Sequence, residues 1–296
     1  MGSAFLNIVE GPDIDDAGEQ VTFGAPSFVA LGVPVPKDFT TAGSRRQILI
    51  DVGDGAVMFT VAAVNGTEPD VQLGSAALTR LLLQTRPAAS AHVTTNVLSS
   101  GELVETTMLR PGAQVAIVAP HGGFIERATD TQARRVATDE RLQANVWVCR
   151  GRAGDAFRRW HITSDDLSEQ SFPGLEALLA TRHDYAVSFH GFDAHDGLDV
   201  IVGGRVDHTI KERVQQQLEP GLSSLLRRPA AVLLATSTSD PFPGLARDNV
   251  VNRLTQAGGL QIEQAAVVRS THTAPALIAD IVIDVLAEQR RPPHQC

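Results

Sequence analysis

Cysteine is almost absent. Cys149, inside an apolar run, and Cys296 are the only two in 296 residues. Two thiols cannot build a disulfide framework, which suits a reducing compartment. Long apolar runs are also missing: no stretch reaches 18 consecutive apolar residues, so no membrane span is expected. Met1-Gly-Ser-Ala-Phe-Leu-Asn7 has no basic region followed by an apolar core. No secretory signal is therefore expected, and the location reads as cytoplasmic. Nor is there an excess of positive charge. Twenty-five Lys and Arg face 34 Asp and Glu, for a net charge of -9, and no basic stripe of a nucleic-acid binder is visible. An acidic surface repels polyanions, so an anionic substrate requires locally clustered arginines. The chain also lacks a Gly-x-Ser-x-Gly nucleophile elbow, a phosphate-cradling Gly-x4-Gly-Lys-Ser/Thr and a His-Glu-x-x-His. Internal repeats and low-complexity tracts are absent.

What is present divides by texture. In residues 1–105, Gln47–Val52 and Ala56–Ala62 flank Gly53-Asp54-Gly55, a hairpin signal. Pro34, Pro36, Gly43, Gly66 and Pro69 punctuate the surroundings, and one helix is expected near Ser75–Gln84. We read a small β-rich domain, with Arg86–Ser90 as a link. Over 106–296, strand-like and helix-like segments alternate, the pattern of a sheet covered by helices. Strands are expected at 113–119, 145–149, 184–190, 198–202, 230–235 and 260–265. Helices are expected at 129–142, 173–181, 207–218, 245–256 and 273–288, with Asp207, Asp240 and Thr271 as caps or near-caps.

Two segments 69 residues apart carry the chemistry. Val115-Ala-Ile-Val-Ala-Pro-His121-Gly-Gly-Phe-Ile-Glu126 and Tyr185-Ala-Val-Ser-Phe-His190-Gly191 each begin as a Val/Ile-rich or aromatic run and reach a histidine followed by glycine. Such runs suit strands buried on both faces, and ligands of open α/β sheets bind at the carboxyl ends of strands. His121, Glu126 and His190 then supply three ligands of a tetrahedral zinc, with one position left for water, the composition of a catalytic site. Gly122 and Gly123 let the chain fold tightly enough for Glu126 to return toward the same ion.

The order and spacing of four blocks resemble the phage-type poly-γ-glutamate hydrolase family, whose fold is similar to zinc carboxypeptidases. The blocks are His121-Gly-Gly-Phe-Ile-Glu126, Trp160-His161-Ile-Thr-Ser164, Ser188-Phe-His190-Gly191, and Gly244–Arg253 leading to Leu260-Gln-Ile-Glu263. The resemblance covers roughly residues 110–285. It implies an α/β fold with a mixed sheet covered by helices on both faces, preceded here by the β-rich domain. It also implies Zn2+ held by His121, Glu126 and His190, with Glu263 as the carboxylate that serves as general base and acid. Gln261 and Glu263 share one face of an alternating strand. The implied activity is zinc-dependent hydrolysis of an amide, with γ-glutamyl bonds as the leading substrate class.

Arg253 is the candidate for gripping a substrate carboxylate, because a guanidinium fork matches it bidentately. Asn249 and Asn252 are candidates for hydrogen bonds beside it. Two roles are open to Arg127: stabilising an oxyanion or binding substrate next to Glu126, or standing on an exposed loop. A packing or supporting role is expected for His161. The chain departs from the family pattern where Phe124 replaces a third glycine and Arg127-Ala-Thr-Asp-Thr131 follows the glutamate. Two alternatives therefore stand beside poly-γ-glutamate. One is a metal-dependent amidase or deacylase for N-acyl amino acids or cell-wall peptides. The other is a binding or assembly module that keeps the fold without the chemistry.

Overall fold

The computed structural model describes residues 2–36, 38–67, 70–83 and 89–290. Gln84, most of the Arg86–Ser90 link and Cys296 lie outside the described residues. Contacts divide the chain into two units, Met1–Val104 with Arg152–Pro173, and Glu105–Gly151 with Gly174–Cys296.

The first unit is a closed barrel. Its strands β1 (Ser3–Glu10), β2 (Gln20–Phe23), β3 (Arg46–Asp51), β4 (Ala56–Val64), β5 (Asp70–Leu73) and β6 (Ala89–Thr94) run in the order β1-β5-β2-β4-β3-β6. The expected hairpin is β3–β4, antiparallel with Asp51 opposite Ala56, and Gly53 and Gly55 take the positive φ its turn demands. Alternate side chains such as Ile8, Val21, Ile48, Ile50, Phe59 and Val93 fill the interior. Two short α-helices, α1 (Ala25–Ala30) and α2 (Ser75–Arg80), and a 3-10 turn at Ala42–Ser44 complete the described residues of this stretch.

From the sequence, residues 152–173 were expected within the second domain, whereas their contacts group them with the barrel. Buried polar side chains explain why. The Gln47 amide donates to the Asp166 carbonyl at 2.8 Å and accepts from the Ser168 N–H at 3.0 Å. Glu19, 5% exposed, accepts from the Thr163 N–H at 2.7 Å and pairs with His161 Nδ1 at 2.6 Å. These are groups that burial obliges to find partners.

The second unit is a mixed sheet. Its strands are β7 (Leu103–Met108), β8 (Val115–Gly123), β9 (Asn145–Gly151), β10 (Tyr185–Phe192), β11 (Val200–Gly204), β12 (Val232–Leu234) and β13 (Leu260–Ala265), in the order β12-β11-β13-β10-β8-β9-β7. β8, β9, β10 and β13 are parallel to their neighbours in that run, and β11 runs antiparallel to β13. The helices of the chain are completed by α3 (Thr129–Thr138), α4 (Ala156–Trp160, in the first unit), α5 (Pro173–Leu179), α6 (His208–Leu226), α7 (Val250–Arg253), α8 (Ala266–Arg269) and α9 (Ala274–Gln289).

Both faces of the sheet are covered. Val115, Ile117, Val146, Val148, Val187, Phe189, Leu260 and Ile262 share one core with Ala133 and Val136 of α3, Val214 and Leu218 of α6, and Ile278, Val282 and Leu286 of α9. Each Val, Leu, Ile or Phe among them contributes roughly 1.5–3 kcal/mol on leaving water. The opposite face carries Trp147, whose indole N–H donates to Glu105 Oε1 at 2.6 Å. The same oxygen accepts the Leu175 N–H of α5 at 3.0 Å. Asn249, which caps α7, reaches that face through Gln261. Among the described residues, no helix is long and apolar enough to cross a membrane.

Candidate metal centre

Strand alternation decides which side chains share a face, and here it acts with one interruption. The parallel register aligns His190 of β10 with Glu263 of β13, so both leave the sheet on the same face, opposite the Phe189 and Ile262 core. β8 joins in register as far as Ser188 against Val118. Regular alternation would then send His121 to the core face with Ile117 and Ala119. The β8–β9 register shifts instead between Ala119 and Gly122, so that Pro120 and His121 together oppose Cys149. This bulge re-aims His121 to the face of His190 and Glu263, as bulges beside functional sites do. Pro120 is compatible with it because a proline has no N–H to give to a central ladder.

The turn after the bulge returns Glu126. Its N–H donates to the His121 carbonyl at 2.7 Å. Gly123 has φ +71°, and a Cβ on Gly122 would stand 2.7 Å from Asp130 Cβ. Neither position tolerates a side chain without movement. The result is a triangle of donor groups in which the Glu126 carboxylate turns one oxygen to each histidine. His121 Nδ1 lies 2.9 Å from Glu126 Oε1 and 3.2 Å from His190 Nδ1, and His190 Nδ1 lies 3.5 Å from Glu126 Oε2. All three residues are 2–3% exposed. The Gly191 N–H donates to Glu126 Oε2 at 2.9 Å and holds the carboxylate in place.

The donor set fits zinc. Two imidazole nitrogens and a carboxylate are its ordinary ligands, and at metal–ligand distances of about 2.0–2.1 Å the donors of a tetrahedron stand about 3.3–3.4 Å apart. The observed separations bracket that value.

Glu263, 7% exposed, is one strand away from His190 and accepts from Gln261 Nε2 at 3.1 Å. Gln261 is itself fixed, because Asn249 Nδ2 donates to its Oε1 at 3.0 Å and its Nε2 also donates to the Phe242 carbonyl at 3.2 Å. Asn249 thus supports the carboxylate through Gln261 while capping α7 at the Val251 N–H. Gln261 is the participant that residue types alone did not single out. Its signal was its place two residues before Glu263 on one strand face.

The other candidates make further contacts. Asn252 donates to the Gly244 and Ala246 carbonyls at 2.7 and 2.8 Å and accepts from the Gly259 N–H at 3.0 Å. Those bonds assign its amide to holding loops together. Arg253 lines a cavity of about 890 Å3 with His183, Asp184 and Tyr185. Tyr185 is at the amino end of β10, five residues or about 16 Å of strand before His190. Arg127 is exposed beside Glu126, with its guanidinium 4.9 Å from the centre of the Phe124 ring. His161 belongs to the first unit, where it pairs with Glu19.

Known proteins agree with this geometry at the level of fold. A bacteriophage poly-gamma-glutamate hydrolase matches with a TM-score of 0.52 at 22% identity, over 64% of this chain and 89% of that one. A zinc-free apo structure of YndL matches with a TM-score of 0.50 at 20% identity, over 64% and 92%. In sequence, the UPF0714 protein YndL of Bacillus subtilis (strain 168) is 27% identical over 155 residues, 52% of this chain and 54% of that protein. The chain therefore spans about half the length of that curated relative. The sequence model of the poly-gamma-glutamate hydrolase family matches residues 99–274, more than half of the chain and inclusive of every residue of the triangle. The chain belongs to the poly-gamma-glutamate hydrolase family.

Proposed function

We propose that this protein is a zinc-dependent amide hydrolase whose first substrate class is the γ-glutamyl bond. The observation that carries the reading is the convergence of His121 Nδ1, the Glu126 carboxylate and His190 Nδ1 at the carboxyl ends of parallel strands. Zinc held by His121, Glu126 and His190 would supply a Lewis acid for the amide carbonyl and would lower the pKa of water from 15.7 toward about 7. Glu263 takes the proton from the attacking water and returns it to the leaving nitrogen, the step that makes an amine leave. Gln261 Nε2 donates to Oε1 of that carboxylate at 3.1 Å and so orients it for the transfer.

A second reading, an amidase or deacylase for N-acyl amino acids or cell-wall peptides, is favoured by Phe124. It stands where the family pattern has glycine, is 49% exposed and is covered on one face by Arg127. An apolar ring with a cation beside it suits an acyl chain next to a carboxylate.

The test is elemental analysis of the purified chain with His190→Ala as control, followed by turnover assays. We expect about one zinc per chain, lost in the variant, and hydrolysis of poly-γ-glutamate that disappears with the metal. Absence of zinc after supplementation would remove the hydrolase reading and leave a binding or assembly module. Zinc present, with cleavage of N-acyl amino acids alone, would select the second reading.

A further inference from the structure

We propose that Arg269 is the positioning residue that sets the mutual spacing of Glu126, His190 and Glu263. The inference rests on the hydrolase reading above for its consequence, though not for its geometry.

Arg269 ends the four-residue helix α8 that follows β13 directly. Its Nε donates to the Gln264 carbonyl at 3.1 Å, its Nη2 to the Phe192 carbonyl at 3.1 Å and its Nη1 to the Arg127 carbonyl at 3.4 Å. The chemical identity of those three carbonyls is what matters. Gln264 follows Glu263, Phe192 is two residues past His190, and Arg127 follows Glu126. One guanidinium thereby ties together the three segments that deliver the site, at the edge where their strands end and backbone carbonyls lose ladder partners. Gly191 makes room for it, since a Cβ there would overlap Arg269 Nε. The histidine-glycine pair at 190–191 is therefore explained by the arginine lying over its backbone.

Electrostatics agree with that placement. Burial pushes the guanidinium pKa down, and Glu126, Asp193 and Glu263 push it back up. Three of its N–H directions are occupied by backbone, which suits a residue that holds the site rather than one that grips substrate. A planar fork is needed for this, because a lysine presents a single point and a shorter reach.

The test uses the full chain with Arg269→Met, Arg269→Lys and Gly191→Ala. Amide hydrogen exchange at Gly191 reports the bond from its N–H to Glu126 Oε2 and needs no metal. Zinc affinity, read by competition with a chromogenic chelator, reports the triangle itself. In Arg269→Met we expect Gly191 protection to fall at least about tenfold and zinc affinity to fall about 10- to 100-fold, the usual loss when a ligand's support is removed. Arg269→Lys should recover neither, and Gly191→Ala should reproduce both. Unchanged Gly191 protection in Arg269→Met would overturn the proposal, as would full recovery by lysine, which would assign the residue a charge effect alone. If Arg269→Met does not fold, Arg269→Lys and Gly191→Ala are read by the same two criteria. A wild-type chain that binds no zinc would sink the hydrolase reading, and Gly191 exchange would then decide the positioning role on its own.

Discussion

At the residue scale, the proposed chemistry depends on how little freedom Glu263 retains. A buried carboxylate must be hydrogen-bonded or paired, and here one oxygen is held by Gln261, whose amide has its own orientation fixed from both ends by Asn249 and the Phe242 carbonyl. A proton acceptor pre-set in this way does not need to be reorganised during the reaction. Glu263→Gln preserves shape and the contact with Gln261 while removing the basic oxygen. We expect zinc content to remain near wild type and kcat to fall about 10²- to 10⁴-fold, the usual contribution of general acid–base catalysis. Metal analysis beside steady-state kinetics separates the outcomes. Turnover retained in Glu263→Gln would place the base on another residue, whereas loss of metal would make Glu263 part of the ligand shell.

At the element scale, the decisive feature is the bulge in β8 and the turn behind it. Gly123 combines φ +71° with a close approach to the Gly151 carbonyl, so an alanine there meets both backbone strain and a clash. Strain of this kind costs on the order of 1–3 kcal/mol. Gly123→Ala should lower Tm by several degrees and weaken zinc binding, because the turn it distorts returns Glu126 to His121. Gly154→Ala, at a glycine with open space around the missing Cβ and no positive φ, should leave both unchanged. Equal effects from the two variants would show that the turn has no special standing. The same feature marks what was legible in the sequence. Apolar runs and strand-end histidines located β8, β10 and the three residues that the fold brings together, His121, Glu126 and His190, because those signals are local. The bulge was not read: the expected strand stopped at 119, before Pro120, a residue that regular central strands exclude. Helix limits were set by tertiary packing instead. The helix expected over 207–218 runs on through Pro220 to Leu226, carried by buried Leu218 and Leu222. The helix expected over 245–256 contracts to Val250–Arg253 with Asn249 as its cap, and Asp240 closes a turn at the Thr236 and Ser237 N–H groups. Barrel closure in the first unit depends on strand pairings far apart in sequence, which local patterns do not encode.

At the scale of the whole molecule, an acidic chain has to hold its carboxylates in favourable surroundings, and the structure shows how two buried ones are held. For Asp199, 1% exposed, burial alone would raise the pKa. The bidentate Arg228 fork, at 2.6 Å to each oxygen, and the Ala231 N–H at 2.9 Å outweigh burial and lower it below the usual 3.8. For Glu19, burial is likewise outweighed by His161, Arg80 and the Thr163 N–H, and its pKa falls below 4.5. The exposed Asp13, Asp38 and Asp207 and the half-buried Asp240 are also held low, chiefly by hydrogen bonds from neighbouring Ser, Thr and backbone N–H groups. The sign follows from linkage. A carboxyl whose pKa is lower folded than unfolded binds fewer protons when folded, so its stabilisation is complete above the unfolded value and is lost as pH falls through the folded one. Because every one of these shifts has the same direction, their losses add on acidification. Tm should therefore hold steady at mildly acidic pH and drop steeply once pH passes below about 4. Asp199→Asn should have a lower Tm near neutrality and a shallower acid limb, since one of the linked protons has been removed. Calorimetry across that range checks both features, and an acid limb with the wild-type slope in Asp199→Asn would show that the Asp199–Arg228 pair is not among the groups that couple protonation to unfolding.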